Sequence, residues 1–513
     1  MAEAEADGTR SREPWWILIP AGVVLATFIV LRFWTTSDLW LDEAQTFTIA
    51  HLPLARIPGA LREDGSPPLY YFLLHFWMGA FGTSNLAVRS LSGVMGVATL
   101  PLSWRMGRAL GGRPAAWGAL VMVATSPFAV RYSTENRMYM LMILLSLIGF
   151  LALRASLARP TAPRLAGVAL VSGLLLLTHY WDLYLVAAVA GAVLWRAFRS
   201  GPGPTRRASA LSLVALVGGF VLFVPWIPSF AYQLGHTGTP WAPRADFTDL
   251  GIVLGDFGGL GSRLGDLLGT LYAVLMVLGL FGAASGRWDI HLDLRVRPAA
   301  RVLGWVALVT LVLAIGASEL GNSAYSLRYT AADFVPVVGL VALGVAAIGH
   351  PAFRVGAVLG IVVLGVLGSY PNITTNRTQA GEVAATLARQ AHAGDVVAYC
   401  PDQLGPAVDR LLPAGRYQQV AYPRRGNPDR VDWVDYARVN ESSHPLPFAR
   451  SLVAQAGPGH AVWLVWSPDY ATFQGKCNGL LNDLGALRSG RILFYEDPSH
   501  FYEHEELAVY PGS

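Results

Sequence analysis

Long apolar stretches dominate this sequence and limit it to one broad class of fold. Several of them run for about 20 residues, the length of helix that spans a hydrocarbon core of about 30 Å. Only 14% of the residues are charged and 53% are hydrophobic, whereas soluble globular domains carry about 25% charged residues. The first stretch, residues 15–34, has no small-residue cleavage site after it, so we expect it to remain as an anchor. The sequence therefore predicts a polytopic α-helical membrane protein.

Arginine residues in the short loops predict the side of the membrane on which each loop lies. Loops with clustered arginines are expected in the cytoplasm, and here they are residues 105–113, 154–164, 196–207, 287–301 and Arg354. About eleven transmembrane helices place them all on one side, at residues 15–34, 86–105, 114–131, 138–155, 165–178, 180–197, 209–228, 266–284, 302–318, 330–348 and 354–370. Residues 1–14 then form a disordered cytoplasmic tail, and the C-terminus is extracytoplasmic. The arginines form no basic stripe, so no nucleic-acid partner is expected.

One apolar run, residues 67–82, must stay out of the membrane core for this arrangement to hold. The run is aromatic-rich and is interrupted by His75. Because Tyr and Trp rings favour the headgroup level, we expect it to form an interfacial helix, with a second one at residues 41–52. Both would lie in a first outer loop, residues 35–85, of a membrane domain that covers residues 15–370.

The tail, residues 371–513, lacks the long apolar stretches of the preceding part, and we expect it to form a soluble extracytoplasmic domain. Helix-like and strand-like segments alternate along it, at residues 381–392, 395–400, 404–412, 417–422, 461–466 and 491–495. This alternation predicts a small α/β domain whose strand order the sequence does not reveal. Cys400 and Cys477 both lie in this tail. They either form a disulfide, which an oxidising compartment allows, or remain two buried thiols.

An acidic pair, Asp42 and Glu43, follows the first span at the predicted outer surface. In a reaction that transfers a group to a hydroxyl, a carboxylate near the reacting centre accepts the hydroxyl proton. Two other interpretations stay open from the residues alone. Asp42 also suits the N-cap of the interfacial helix, and a carboxylate pair also suits a metal ion.

Arginine, histidine and tyrosine residues gather at the same predicted surface. Arginine binds phosphate through paired donors and a permanent charge. The candidates for phosphate or substrate binding are Arg89, Arg131, Glu135, Arg137, His179, Tyr180, Arg328 and Tyr329. Each has a structural alternative: a turn with an internal Glu–Arg pair, a satisfied interfacial histidine, or an arginine that snorkels. The sequence contains no glycine-rich phosphate loop, zinc-ligand spacing or nucleophile elbow.

Short motifs in this order resemble those of the GT-C glycosyltransferases, in particular the bacterial branch related to protein O-mannosyltransferases and aminoarabinose transferases. The motifs are Leu41-Asp42-Glu43-Ala44, Ser66-Pro67-Pro68-Leu69-Tyr70-Tyr71, Phe81-Gly82-Thr83-Ser84, Arg89-Ser90-Leu91-Ser92-Gly93, Tyr132-Ser133, Glu135-Asn136-Arg137-Met138-Tyr139, Thr178-His179-Tyr180 and Arg328-Tyr329. The resemblance covers about residues 15–370. Many relatives have His-Pro-Pro or Lys-Pro-Pro where this chain has Ser66-Pro67-Pro68, so a basic contact near the donor is either missing or supplied by Arg89.

The resemblance implies an enzyme of the plasma (inner) membrane that moves a sugar from a polyprenyl-phosphate donor to an acceptor hydroxyl at the outer face. It implies inversion and no metal or other cofactor. Asp42 carries over as the base and Glu43 as its support, with Arg137, His179 and Arg328 as looser carry-overs to the donor phosphate. Mannose is the expected sugar and arabinofuranose the alternative, while the acceptor stays open among lipid, glycan and protein.

A transporter or flippase for a lipid-linked glycan is the alternative function from a different class. Such proteins often carry inverted repeats and ionisable residues near the bilayer midplane. This sequence shows no repeat, and its polar residues gather at one predicted face. The pattern therefore favours the glycosyltransferase.

Overall fold

The computed structural model shows a helical bundle that carries a sheet-containing domain at its C-terminal side. The described residues are 15–238, 249–259, 262–284, 286, 288–295, 297–320, 325–468, 470, 473 and 475–512. The predicted disordered tail, residues 1–14, lies outside them.

Helices form almost all of the bundle. They are α1 (Trp15–Leu31), α2 (Leu41–His51), α3 (Ile57–Asp64), α4 (Leu69–Phe81), α5 (Asn85–Thr125), α6 (Pro127–Ser133), α7 (Tyr139–Ala158), α8 (Ala162–Leu176), α9 (Asp182–Arg199), α10 (Pro204–Gly218), α11 (Ile227–His236), α12 (Asp249–Gly258), α13 (Arg263–Phe281), α14 (Pro298–Leu320), α15 (Ala331–Ala347) and α16 (Pro351–Thr374). Short 3-10 turns lie at Gly219–Leu222, Val224–Trp226 and Leu327–Thr330. Strands β1 (Gly282–Ala284) and β2 (Ile290–Leu292) form an antiparallel pair. Among the described residues, seven helices are long and apolar enough to cross a membrane, which confirms the predicted polytopic fold.

A helix occupies each predicted span. Helix α5 contains the second span and most of the third, which continues into α6. The two parts are separated where Gly111 and Gly112 leave helical geometry. Gly112 has a φ of 70°, a left-handed value that glycine adopts without strain. The predicted spans on α1, α8 and α9 are not among the seven, so their crossing of the membrane stays a prediction.

Both predicted interfacial segments are helical. The run at residues 67–82 forms α4, whose 13 residues are too few to span a hydrocarbon core. The segment at residues 41–52 forms α2, which carries the acidic pair. Helix α3 lies between them and was not predicted.

Helix α15 forms the centre of the bundle. Its most apolar stretch is 94% buried, against 22% to 56% for the other six long apolar helices. Glycines bring its backbone close to α13: a Cβ on Gly344 would lie 1.9 Å from the carbonyl oxygen of Leu275. In lipid, such close packing of small residues holds helices together. The turn that carries Arg328 and Tyr329 leads directly into α15 and is therefore firmly anchored.

The C-terminal domain is built on a five-stranded sheet with the order β5-β4-β6-β9-β7. Its strands are β3 (Asn376–Thr378), β4 (Val396–Cys400), β5 (Gln418–Ala421), β6 (Val462–Trp466), β7 (Arg491–Phe494), β8 (Phe501–Glu503) and β9 (Glu506–Tyr510), and its helices are α17 (Ala380–Gln390), α18 (Gly405–Asp409), α19 (Tyr436–Ser442), α20 (Pro445–Ala456) and α21 (Lys476–Leu487). Strand β4 pairs in parallel with β5 and β6, while β9 runs antiparallel to β6 and β7. Alternate residues of β4 belong to two apolar clusters, one on each face of the sheet. This confirms the predicted α/β character, although the strands β3, β8 and β9 and the helices α19, α20 and α21 were not predicted.

Cys400 and Cys477 form a disulfide that links β4 to α21. Of the two alternatives that the sequence left open, the structure therefore shows the bonded one.

The C-terminal domain docks on one end of the bundle. The Arg410 guanidinium donates to the carbonyl oxygen of Thr83 at 2.6 Å. The Gln45 side-chain amide accepts from the Val431 N–H at 2.9 Å and donates to its carbonyl oxygen at 3.4 Å. We call this end of the bundle the domain end and the other the loop end.

Candidate active site

A cavity of about 380 Å³ opens at the domain end, between the bundle and the C-terminal domain. Six of the ten sequence-predicted site residues line this cavity: Asp42, Arg137, His179, Tyr180, Arg328 and Tyr329. The other four are not among its lining residues: Glu43, Arg89, Arg131 and Glu135. The predicted surface cluster is therefore two clusters, one that faces the cavity and one that is buried beside it.

Asp42 lies in the first turn of α2 and faces the cavity. Helix α2 begins at Leu41, and Trp40 stands at its N-cap position with no side-chain cap bond. The interpretation of Asp42 as the N-cap is therefore wrong. Instead, Oδ2 of Asp42 accepts a hydrogen bond from Nη1 of Arg328 at 2.6 Å. The two side chains keep 16% and 12% of their surface exposed, so the pair forms part of the cavity wall.

The C-terminal domain supplies the cap that α2 lacks. Oε2 of Glu503 accepts from the Leu41 N–H at 2.8 Å, and Oε1 accepts from the Thr378 hydroxyl at 2.6 Å. The ring of Tyr502 packs edge-on against Trp40, with centroids 5.3 Å apart. An acceptor at a helix N-terminus satisfies a free N–H and complements the helix dipole. Glu503 therefore holds the turn that carries Asp42.

Glu503 should make the stability of the protein depend on pH. Burial raises the pKa of Glu503 from its usual 4.5 to about 8. Between these values the folded protein keeps a proton that the unfolded chain has lost, so the free energy of unfolding falls as pH rises. We expect the melting temperature of wild type relative to Glu503→Gln to decrease across this window, because glutamine does not titrate. A difference that stays constant with pH would contradict this prediction.

Arg137 lies on the cavity wall beside Asp42. Its Nη1 donates to the Thr46 hydroxyl at 2.8 Å and lies 3.5 Å from the Tyr71 hydroxyl. The Thr46 hydroxyl in turn donates to the Asp42 carbonyl at 2.7 Å. The cavity therefore has two guanidinium groups beside Asp42. Arg328 bonds the Asp42 carboxylate, and Arg137 bonds Thr46, one helical turn further along α2.

His179 is a neutral residue on the same wall. Its Nδ1 accepts from the Trp181 backbone N–H at 3.2 Å, which leaves the proton on Nε2. Burial, with the nearby Arg137 and Arg328, lowers the pKa of His179 to about 3. Its ring lies 4.7 Å from that of Tyr329, centroid to centroid. His179 can therefore donate a hydrogen bond to an anion but carries no charge at neutral pH.

Tyr180 contributes its ring more than its hydroxyl. The hydroxyl donates to the Gln233 side-chain oxygen and accepts from Nε1 of Trp226 at 2.9 Å. Gln233 also donates to the Leu61 carbonyl oxygen at 2.8 Å. These bonds fix the part of the cavity wall that Tyr180 forms, and its predicted role in substrate binding stays a prediction.

Glu43 is buried away from the cavity in an ion-pair cluster. Arg89 binds it through two donors, Nε at 2.7 Å and Nη2 at 2.5 Å, and the Asn136 N–H donates to it at 2.9 Å. Nη1 of Arg377 lies 3.7 Å away. Burial alone would raise the pKa of Glu43, but Arg89 and Arg377 hold it below its usual value. The structure corrects the placement of both Glu43 and Arg89: they pair with each other and do not line the cavity. Their predicted roles in the reaction stay predictions.

Arg131, in the last turn of α6, and Glu135, four residues later in the bend that follows, form an internal pair at 3.0 Å. This is the structural alternative that the sequence left open for their segment. Arg377 lies next to them, with Nη1 donating to the Thr134 carbonyl oxygen at 2.8 Å. Arg131 and Glu135 support the wall behind Arg137 and do not line the cavity.

The lining residues that sequence reasoning missed include Asp64, Gln45 and Trp433, and it also missed the supporting Arg377. Asp64, on the last turn of α3, accepts from the Tyr71 hydroxyl at 3.0 Å and from the Gln45 amide. Its position just before Ser66-Pro67-Pro68 was a usable signal. Gln45, Trp433 and the supporting Arg377 gave none, because their positions depend on how the C-terminal domain docks.

Comparisons with known proteins agree with this fold. Residues 65–228 match the family model described as dolichyl-phosphate-mannose-protein mannosyltransferase. The structure of ArnT from Cupriavidus metallidurans bound to undecaprenyl phosphate is similar over 96% of this chain and 98% of that chain, at 14% identity and a TM-score of 0.57. The apo state of the same protein is similar over the same shares, at 14% identity and a TM-score of 0.55. No curated protein sequence matches the chain.

These comparisons show the fold of the chain. It is a multi-helix membrane fold with the architecture of the two ArnT structures, along 96% of the chain. Within it, residues 65–228 are similar to the dolichyl-phosphate-mannose-protein mannosyltransferase family, in agreement with the resemblance of the motifs.

Proposed function

We propose that this protein transfers a sugar from a polyprenyl-phosphate donor to an acceptor hydroxyl, with inversion at the sugar carbon. The observation that carries the proposal is the Asp42–Arg328 pair, a carboxylate 2.6 Å from a guanidinium on a cavity wall that also holds Arg137 and His179. The cavity thus presents a proton acceptor beside several anion-binding groups. The similarity to ArnT, whose structure holds undecaprenyl phosphate, supports the choice of donor.

The chemistry follows from this arrangement. The acceptor oxygen attacks the sugar carbon, its proton passes to Asp42, and the bond between the sugar and the phosphate oxygen breaks. The departing phosphate is an anion, so it requires positive charge and hydrogen-bond donors more than a strong acid. Arg137, Arg328 and the Nε2–H of His179 supply them. No metal ion or other cofactor enters this mechanism.

Arg328 connects the two halves of the reaction. Without substrate it pairs with Asp42, which holds the carboxylate in place. When the donor phosphate binds, the guanidinium can turn its donors to the phosphate and leave Asp42 to the acceptor. The base is thereby available only when the donor is bound.

We place the protein in the plasma (inner) membrane, with its N-terminus in the cytoplasm and with the cavity and the C-terminal domain outside. The arginine-rich loops support this orientation through the positive-inside rule. Mannose is our first choice of sugar because of the family that residues 65–228 match, and arabinofuranose is the alternative. The acceptor is a lipid, a glycan or a protein.

Replacing Arg328 tests whether the cavity binds the donor phosphate. We expect Arg328→Gln to lower kcat/KM for a polyprenyl-phosphate-mannose donor by about 10²-fold, because one preorganised donor to the leaving group is lost. The measurement is sugar transfer by purified protein in liposomes, with envelope extract from a deletion strain as the acceptor. Arg56→Gln is the matched control, since Arg56 is exposed and does not line the cavity. Unchanged transfer by Arg328→Gln would rule out this binding mode.

A further inference from the structure

A second cavity, of about 640 Å³, lies inside the bundle among α7, α8, α9, α14 and α15. We propose that it binds one anionic phospholipid from the membrane leaflet at the loop end. The proposal does not depend on the proposed function, because neither Asp42 nor any other residue of the active-site cavity lines this second cavity.

The cavity has the polarity and length of a lipid chain site. Its walls are almost wholly apolar, with Phe150, Val189 and Val306 among the lining side chains. On α9 it extends from Leu185 to Arg196, which corresponds to roughly 16 Å at the rise of an α-helix. That length is about half of a hydrocarbon core of about 30 Å. One leaflet's acyl chain therefore fits along it.

Positive charge stands at one end of the cavity only. Among its described lining residues, Arg154 and Arg196 are the ionisable ones, and both lie in the loop-end part of their helices. Pro298 and Ala299, which start α14, line the same end. The N-terminus of a helix carries a partial positive charge that favours anions. Two arginines and a helix N-terminus thus surround the place that a phosphate headgroup would take.

Two neighbouring arginines, Arg164 and Arg199, make contacts within the protein and do not line the cavity. Nη1 of Arg164 donates to the Ala155 carbonyl oxygen at 3.1 Å and so satisfies the end of α7. The Arg199 guanidinium lies over the ring of Trp195, 4.6 Å from its centroid. Basic pockets between membrane helices are typical sites for acidic lipid headgroups.

The position of the positive charges also distinguishes an anionic phospholipid from the tail of a polyprenyl donor as the occupant of the cavity. The domain-end part of the cavity is lined by Leu185, Val335 and Pro336, with no cation among them. A donor held by its phosphate near Asp42 would enter from that end and would leave Arg154 and Arg196 unused. The charges therefore favour a lipid whose headgroup lies at the loop end.

Native mass spectrometry of the full-length protein in detergent tests the proposal, with dioleoyl-phosphatidylglycerol as the probe and dioleoyl-phosphatidylcholine as the neutral comparison. We expect wild type to retain phosphatidylglycerol in preference, and Arg154→Gln/Arg196→Gln to reduce the retained fraction roughly tenfold or more. Arg206→Gln/Arg207→Gln is the matched control, because these exposed arginines lie at the same end outside the cavity. The control should retain the lipid as wild type does.

Filling the cavity provides a second, independent variant. Val189→Trp should displace phosphatidylglycerol while the melting temperature shows a folded protein. Equal retention of phosphatidylglycerol by wild type, Arg154→Gln/Arg196→Gln and Val189→Trp would overturn the proposal. So would a Val189→Trp protein that loses added undecaprenyl phosphate but keeps phosphatidylglycerol, since that result would assign the cavity to the donor tail. Neither assay uses a sugar donor, so failure here leaves the proposed function untouched.

Discussion

Asp42→Asn should abolish sugar transfer, with a loss of at least about 10²-fold to 10⁴-fold in kcat, while the protein still folds and binds its donor. A positioned base typically contributes a factor of this size. Asparagine has the shape of aspartate and can still accept from Arg328, but it cannot take the acceptor proton. Because Asp42 lies in the first turn of α2 and does not cap the helix, the substitution should cost little stability. The loss should therefore appear in kcat and not in the amount of folded protein.

The measurement is transfer of labelled sugar by purified protein in liposomes, with donor binding measured separately. Glu63→Gln is the control, since the Glu63 side chain is 46% exposed at the same end and its carboxylate makes a long surface contact with Arg430 at 3.6 Å. Surface pairs of this kind contribute little. Full transfer by Asp42→Asn would exclude Asp42 as the base. Movement of labelled lipid across the bilayer by Asp42→Asn, without transfer by wild type, would favour a transporter.

Glu43→Ala should have the largest effect on stability, about 3–5 kcal/mol, because it leaves the guanidinium of Arg89 buried without its partner. Glu43 is fully buried and Arg89 is 3% exposed. Two donors of Arg89 and the Asn136 N–H would lose their acceptor at once. We expect a lower melting temperature and a lower yield of folded protein in detergent.

The double variant Glu43→Ala/Arg89→Met separates a structural role from a catalytic one. Removing both charges should recover part of the stability that either single change loses, because neither charge is then left alone. Transfer per folded molecule should recover as well. If Glu43→Ala instead melted as wild type does but transferred no sugar, Glu43 would act in catalysis, as the motif resemblance implies.

The sequence was enough to predict the bundle, for a physical reason. In lipid every backbone polar group must be satisfied within the helix, so length and apolarity reveal a spanning segment without knowledge of its neighbours. The same reasoning set α4 apart from the spanning helices, since its aromatic run is too short. Helix α3 has eight residues and no apolar run, so it carried no such signal.

The candidate site was predicted in part. Topology brought Asp42, Arg137, His179 and Arg328 to one face, and the structure places them on one cavity. The motif resemblance ranked Asp42 above Glu43 as the base, but the residues alone could not show which one faces the cavity. Successive residues of a helix point in directions about 100° apart, and only tertiary contacts decide which one is buried. The Glu43 carboxylate forms ion pairs with Arg89 and with Arg377, and Arg377 belongs to the C-terminal domain, far away in the sequence.

The position of α2 has a consequence for how such a chain can be divided or exchanged. This helix is bonded to the C-terminal domain through the Leu41 N–H, the Gln45 amide and the Glu43 carboxylate. The change in amino-acid composition near residue 371 therefore marks the boundary between the apolar bundle and the polar domain. It does not mark the end of a structurally independent unit. Neither half is therefore structurally independent, and a recombination that joined this bundle to a foreign tail should misplace the helix that carries Asp42.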